Sequence, residues 1–247
     1  MSVAVTFSGR YGDILWSLPT AREIAKIHGP VDFFMMKDFE GIAPLLNSQP
    51  YIAQARGLDG WNCLADGCGA QPREHPPISG YTQVFDLTYP CFPHAPLVDF
   101  IAIINRISFT QPVIPFLTTE PSTVQYDLAV SLKFRDKLDI FFKPLVEALE
   151  VRLNRHLTYV ETELLPWDKA ASAIAASRLF VGDKSSNQVM AHGVCKPVLI
   201  YETNRDRVNR LFMCPYGEEI APNPVGSWLM CPQNLNEFTE IAIKYLQ

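Results

Sequence analysis

The sequence predicts an α/β protein made of two successive α/β units that face a cleft. Three observations lead to this prediction. Apolar, strand-like runs alternate with segments of helical period, the alternation restarts after a proline-rich stretch, and the 247 residues are enough for one large domain or two small ones. Ligands of such parallel sheets usually bind at the carboxyl ends of the strands, so we expect the functional residues there.

The first half opens with a strand, a turn and a helix. Val3–Phe7 is a short apolar run typical of a buried strand, and the glycines in the turn from Ser8 to Asp13 permit positive φ. A helical period runs from Ile14 to His28 and ends at Gly29 and Pro30. The pattern then predicts strands over Val31–Met35 and Tyr81–Leu87, and helices over Gly41–Asn47 and Leu97–Ile107.

The stretch from Thr110 to Thr123 contains three prolines and little periodicity, which predicts a linker. We therefore expect domains over residues 1–121 and 122–247. The second half predicts strands over Tyr126–Leu132, His156–Glu161, Leu179–Val181 and Pro197–Tyr201, and helices over Asp139–Leu149, Trp167–Ser177, Ser185–Val194 and Asn236–Leu246. The amphipathic last helix is a candidate to pack back on the first domain.

The amino-acid composition argues against several classes of protein. Apolar residues make up 48% and charged residues 19%, which excludes a disordered tail protein. The net charge of −5 argues against a nucleic-acid partner, because that binding depends on neutralising phosphates. No apolar run approaches the ~18–20 residues of a transmembrane helix, and the N-terminus lacks a signal-peptide pattern. We predict a cytoplasmic protein with no transmembrane segment.

The first candidate site is the turn Ser8–Asp13 before the first helix. It lacks the G-x-G-x-x-G spacing of a dinucleotide site. Asp13 has two interpretations: a helix-start residue that accepts from backbone N–H groups, or a general base that takes a proton from a hydroxyl. The bare pattern favours the first.

The second candidate site follows the predicted strand that ends near Gly182. A helix start offers unpaired N–H groups and the positive end of the helix dipole, which together form a natural phosphate seat. The side chains available there are those of Lys184, Ser185, Ser186 and Asn187. The alternative is a serine N-cap beside an exposed lysine.

The third candidate is a group of cations after the strand Tyr126–Leu132. Lys133, Arg135 and Lys137 place three positive charges in five residues, a pattern suited to a diphosphate but also to a solvated loop. No G-x-S-x-G elbow, His metal pair or Asp-x-Asp pair occurs. We predict neither a cofactor nor a metal.

Three ordered segments together resemble the ADP-heptose:lipopolysaccharide heptosyltransferase-like glycosyltransferases of family 9. They are Gly12-Asp13-Ile14-Leu15-x-x-x-Pro19, Val84–Leu87 with Arg106–Phe109, and Ala176–Ser186 with Ala191 and Pro197-Val198. Their order and spacing match across nearly the whole chain. The resemblance implies two Rossmann-like α/β domains of the GT-B type, with the acceptor on the first and the donor on the second.

The resemblance also implies roles for individual residues. Asp13 matches the proposed catalytic base, Ser185 and Ser186 match residues that bind the donor diphosphate, and Lys137 roughly matches a phosphate-binding lysine. On the acceptor side we expect Ser8, Arg10, Tyr11, Gly12, Tyr89 and His94. The implied function is metal-independent transfer of a hexosyl or heptosyl group from a nucleotide-sugar donor to a hydroxyl of a saccharide or another acceptor.

Two alternatives stay open. Lys184, Ser186 and Val189 stand where the family pattern has Asp, Gly and His. These departures leave room for a non-catalytic GT-B-fold binding protein. The fold also leaves room for a nucleotide-sugar epimerase, which would convert a lone nucleotide-sugar into its isomer.

Overall fold

The chain folds into two compact units, Met1–Thr118 and Thr119–Gln247, in the computed structural model. The structure describes residues 2–61, 76–89, 97–110, 113–132, 138–183, 185–201, 229–230 and 234–247. Each unit is built on one parallel sheet.

The sheet of the first unit has the strand order β3-β2-β1-β4. Its strands are β1 (Val3–Phe7), β2 (Val31–Met36), β3 (Ile52–Leu58) and β4 (Gln83–Asp86), and its helices are α1 (Tyr11–His28), α2 (Ala43–Asn47) and α3 (Leu97–Ile104). All five residues of β1 are buried, as expected for a central parallel strand covered on both faces. β3 was not predicted from the sequence, because at the edge of the sheet only some of its residues are buried.

The sheet of the second unit has the order β6-β5-β7-β8-β9. Its strands are β5 (Tyr126–Ser131), β6 (Tyr159–Glu161), β7 (Ser177–Gly182), β8 (Val198–Ile200) and β9 (Leu229–Met230), and its helices are α4 (Lys143–Leu153), α5 (Trp167–Ala175), α6 (Ser186–Gly193) and α7 (Leu235–Leu246). A π-helical segment, Leu138–Phe142, leads directly into α4, so the chain is helical where the helix from Asp139 was predicted. Pro144 lies in the first turn of α4, where its missing N–H costs nothing.

The core of the second unit includes the apolar face of the last helix. Phe238 of α7 lies edge-on to Phe141, with ring centroids 4.6 Å apart, and Phe141 stacks on Tyr201 at 4.1 Å. Asn234 caps the helix by accepting the Glu237 N–H at 2.9 Å. The apolar face of α7 is therefore occupied within the second unit.

The first unit holds much of the proline-rich segment that we predicted as a linker. Side-chain atoms of Gln49 bond both backbone groups of Thr118, accepting its N–H at 2.8 Å and donating to its carbonyl at 3.1 Å. Tyr51 donates to the Phe116 carbonyl, and Arg22 to the Val113 carbonyl. Residues 113–118 are thus part of the first unit.

Within the part of the chain described above, no helix combines the length and the apolar character needed to cross a membrane.

We predict that Gln49→Ala lowers the free energy of unfolding of the first unit by about 1–3 kcal/mol, because the backbone groups of Thr118 lose their partners. Proteolysis within residues 113–118 should accelerate with it. Urea unfolding and limited proteolysis measure the two effects. Gln54→Ala, at an exposed position of the same unit, is the control. Cleavage of the Gln49 variant at the control's rate would contradict the assignment of this segment to the first unit.

Candidate functional site

Hydroxyl groups join the ends of β1 and β4 at the carboxyl edge of the first sheet. The backbone N–H and the hydroxyl of Ser8 both donate to the Thr88 hydroxyl, at 3.0 and 3.2 Å. The Asp86 carboxylate accepts from the Thr6 hydroxyl at 3.3 Å and from the Thr88 N–H at 3.0 Å. Ser8 and Thr88 are buried, so the strand ends are fixed relative to one another.

Asp13 lies in the first turn of α1, which begins three residues earlier than predicted. The first helical bond runs from the Ile14 N–H to the Arg10 carbonyl at 2.9 Å. Gly9 lies so close to Phe7 and Asp13 that a Cβ added at position 9 would contact the Phe7 ring and lie 3.0 Å from the Cβ of Asp13. The positive end of the helix dipole at this position stabilises a carboxylate.

Tyr11 attaches the start of α1 to the connection that follows β2. Its hydroxyl donates to the Asp38 carbonyl at 3.3 Å, and its ring lies edge-on to Phe39 with centroids 5.0 Å apart. Both partners belong to the 3₁₀ turn Lys37–Ile42. Tyr89, just after β4, is buried with its ring 6.3 Å from that of Phe7. Tyr11 and Tyr89 therefore both lie beside this edge of the first sheet.

In the second unit, α6 begins with a serine that does not cap it. Ser185 is the N-cap residue, with φ at −151°, yet its side chain makes no capping bond. Its hydroxyl oxygen is buried and has no hydrogen-bond partner among the residues that the structure describes. The first bond of α6 runs from the Val189 N–H to the Ser185 carbonyl, so the N–H groups before it are not used within the helix.

Ser131, the last residue of β5, forms several hydrogen bonds at the same edge of the second sheet. Its carbonyl accepts the Asp183 N–H at 2.9 Å. Its hydroxyl accepts from the Asn187 amide at 3.0 Å and donates to Glu163 at 3.0 Å. A Cβ on Gly182 would lie 2.5 Å from the Ser131 carbonyl, so this position requires glycine.

The structure brings the predicted residues together at two sheet edges. Ser8, Arg10, Tyr11, Gly12, Asp13 and Tyr89 lie at the first unit's edge, and Gly182, Ser185, Ser186 and Asn187 lie at that of the second. Lys133, Arg135, Lys137, Lys184 and His94 lie outside the described residues. Thr88 and Ser131 were not predicted as parts of these edges, because their contacts depend on which strands are neighbours.

His192, on α6, is a packed helix residue. Its side chain is buried, and burial lowers its pKa to about 4 from the ordinary 6.5. Burial has this effect because desolvation disfavours the charged imidazolium. The neutral form is therefore maintained at pH 7.

Comparisons with known proteins support the fold. No protein-family model matches the sequence, and no curated protein matches it either. Among solved structures, E. coli heptosyltransferase WaaC with ADP-2-deoxy-2-fluoro heptose superposes with a TM-score of 0.59 at 12% identity, over 99% of this chain and 98% of its own. E. coli ADP-heptose lps heptosyltransferase II gives 0.59 at 10% identity, over 99% of both chains.

A glycosyl transferase family 9 protein from Veillonella parvula gives a TM-score of 0.54 at 12% identity, over 100% of this chain and 90% of its own. The chain has the fold of the heptosyltransferases. This likeness confirms, at the level of the fold, the resemblance seen in the sequence. At such low identity the fold does not fix the activity, which has to be argued from the site.

We predict that His192 makes stability depend on pH between about 6.5 and 4. In this window the unfolded chain binds a proton that the folded chain does not, so stability is complete above pH 6.5 and falls as the pH drops. Between pH 7 and 5 this contribution is about 2 kcal/mol. Urea unfolding of wild type and His192→Gln at both pH values measures it.

Gln54→Ala is the control, because it changes an exposed side chain that carries no titratable group. It should keep the wild-type pH dependence, whereas His192→Gln should lose about 2 kcal/mol of it. Equal pH dependence in all three proteins would show that His192 is not held neutral by burial.

Proposed function

We propose that this chain is a glycosyltransferase that moves a sugar from a nucleotide-sugar donor to an acceptor hydroxyl. The observation that carries the proposal is the buried Ser185 hydroxyl, which has no partner among the described residues at the start of α6. A buried hydroxyl without a hydrogen bond costs roughly 1–3 kcal/mol. A phosphate oxygen of a bound donor would accept that bond, at the end of the helix that attracts anions.

The donor diphosphate fits the chemistry of the second unit, proposed as residues 122–247. When the bond between the anomeric carbon and the diphosphate oxygen breaks, negative charge develops on the diphosphate. The start of α6 stabilises that charge, and we assign Lys133, Arg135, Lys137 and Lys184 to the same task. WaaC has been solved with ADP and with an ADP-heptose analogue, so ADP-sugars are the first donors to test.

The acceptor is assigned to the first unit, proposed as residues 1–121. Asp13 would orient the acceptor hydroxyl and receive its proton while the hydroxyl oxygen bonds to the anomeric carbon. The helix dipole lowers the basicity of a first-turn carboxylate, so proton acceptance by Asp13 needs help from the orientation of the hydroxyl. Ser8, Arg10, Tyr11, Gly12, Tyr89 and His94 are proposed to surround the acceptor.

We predict that Ser185→Ala weakens nucleotide binding without lowering the stability of the protein. The variant loses a hydrogen bond to the diphosphate, so affinity for the nucleoside diphosphate should fall about 10-fold. Without ligand, its melting temperature should stay level or rise, because an unpaired buried hydroxyl is removed. Calorimetry and thermal shift with ADP, UDP, GDP, CDP and dTDP measure both quantities.

Ser172→Ala is the matched control, because that hydroxyl bonds the Asp168 carbonyl within α5. It should bind the same nucleotide as wild type with unchanged affinity. A wild-type protein that is folded but binds none of the five nucleotides would overturn the donor site and favour a non-catalytic protein.

We predict that Asp13→Asn lowers sugar transfer by at least about 100-fold and leaves donor affinity unchanged. The change keeps the shape of the side chain and removes the group that takes the proton. Release of nucleoside diphosphate from the bound donor, measured with a panel of saccharide acceptors, reports the transfer. Asp59→Asn, at an exposed position of the same unit, is the control. Wild-type transfer by the Asp13 variant would remove this residue from the chemistry.

A further inference from the structure

Ser131 forms hydrogen bonds with the residues on both sides of the proposed donor-phosphate site. At its beginning the Asp183 N–H donates to the Ser131 carbonyl at 2.9 Å. At its end Asn187, in the first turn of α6, donates its amide to the Ser131 hydroxyl at 3.0 Å. Ser185 lies between these two attachments, so the position of its hydroxyl depends on both.

The side-chain amide of Asn187 also forms a hydrogen bond with a third element. Asn187 also donates to the Thr162 hydroxyl at 3.0 Å, and Thr162 begins the turn that follows β6. The asparagine therefore joins the ends of β5 and β6 to the start of α6. Asn187 itself is buried, with 7% of its surface exposed.

The direction of each bond in this network is determined. The Thr162 hydroxyl donates its proton to the Val130 carbonyl at 3.1 Å, and the Ser131 hydroxyl donates its proton to Glu163 at 3.0 Å. Each hydroxyl has a single proton, so both must accept from Asn187. The amide has two N–H donors, and both are used.

These bonds change the role that the sequence suggested for Asn187. We expected it to bind the donor phosphates, but its N–H groups are committed to Ser131 and Thr162. A phosphate has only acceptor oxygens to offer at neutral pH, so it would have to displace one of these bonds. The geometry therefore favours a residue that acts through others.

We propose that Asn187 and Ser131 are positioning residues that hold Asp183 and the start of α6 so that the Ser185 hydroxyl and the helix N-terminus meet a diphosphate. This inference rests on the proposed function. A misplacement of about 1 Å is enough to weaken a site of this kind strongly, because hydrogen bonds fall off steeply with distance and angle. Because Asp183 and Asn187 are already bonded to Ser131, these two residues do not have to be ordered when the ligand binds.

The test is a double-mutant cycle on nucleotide affinity, using Asn187→Ala, Ser131→Ala and the double variant. The probes are ADP, UDP, GDP, CDP and dTDP, and the one that wild type binds most tightly is carried through. Each single variant should lose about 10-fold in affinity, and the double variant also about 10-fold rather than about 100-fold, because the two residues act through one contact.

Asn234→Ala is the matched control for a merely structural effect. It removes another asparagine from a helix start in the same unit, the N-cap of α7, at a cost in helix stability of about 1 kcal/mol. Its affinity should equal that of wild type. Hydrogen exchange of the Ser185 and Ser186 amides should accelerate in Asn187→Ala and not in the control.

The outcomes separate the two proposals. If wild type binds a nucleotide and Asn187→Ala binds it equally well, the positioning role is wrong and the donor site stands. If the double variant loses about 100-fold, the two residues act independently and the proposed link between them is wrong. If wild type binds none of the five nucleotides, the proposed donor site and this inference fall together.

Discussion

The close approach of β5 and β7 at Ser131 is the constraint on which the second unit's proposed site depends. Only glycine fits at position 182, because a Cβ there would lie 2.5 Å from the Ser131 carbonyl. That approach lets the carbonyl accept the Asp183 N–H and sets where the chain leaves the sheet. Asn187 then brings the start of α6 back to the hydroxyl of the same residue. The Ser185 hydroxyl is left buried, without a hydrogen-bond partner among the described residues.

The carboxyl edge of the first sheet is fixed in a similar way. There, too, a buried hydroxyl joins the ends of two neighbouring parallel strands, with Ser8 and Thr88 in the place of the Ser131 network. In both units the chain then enters a helix within a few residues, so a helix start is fixed at the carboxyl edge of a sheet. One start carries a carboxylate at Asp13, and the other carries hydroxyls at Ser185 and Ser186. This difference in side chains suits a proton acceptor in one unit and an anion seat in the other.

Local signals allowed much of the fold to be predicted. The apolar run of β1, the helical period of α1 and its stop at Gly29 depend on neighbouring residues alone, and they appear where expected. The edge strand β3 and the attachment of Thr118 by Gln49 could not be predicted, because both depend on contacts between distant parts of the chain. The same limit explains why Ser131 was missed and why Asn187 was assigned to the ligand rather than to the network. Its residue type was informative, but its partners lie 56 and 25 positions away.

The decisive experiment is a crystal structure with the nucleoside diphosphate that binds best. We expect the terminal phosphate at the start of α6, with an oxygen within about 3 Å of the Ser185 hydroxyl. We also expect that the bonds from Asn187 to Ser131 and Thr162 stay in place. A nucleotide bound elsewhere, with the Ser185 hydroxyl still unpartnered, would contradict the assignment of this edge as the donor site.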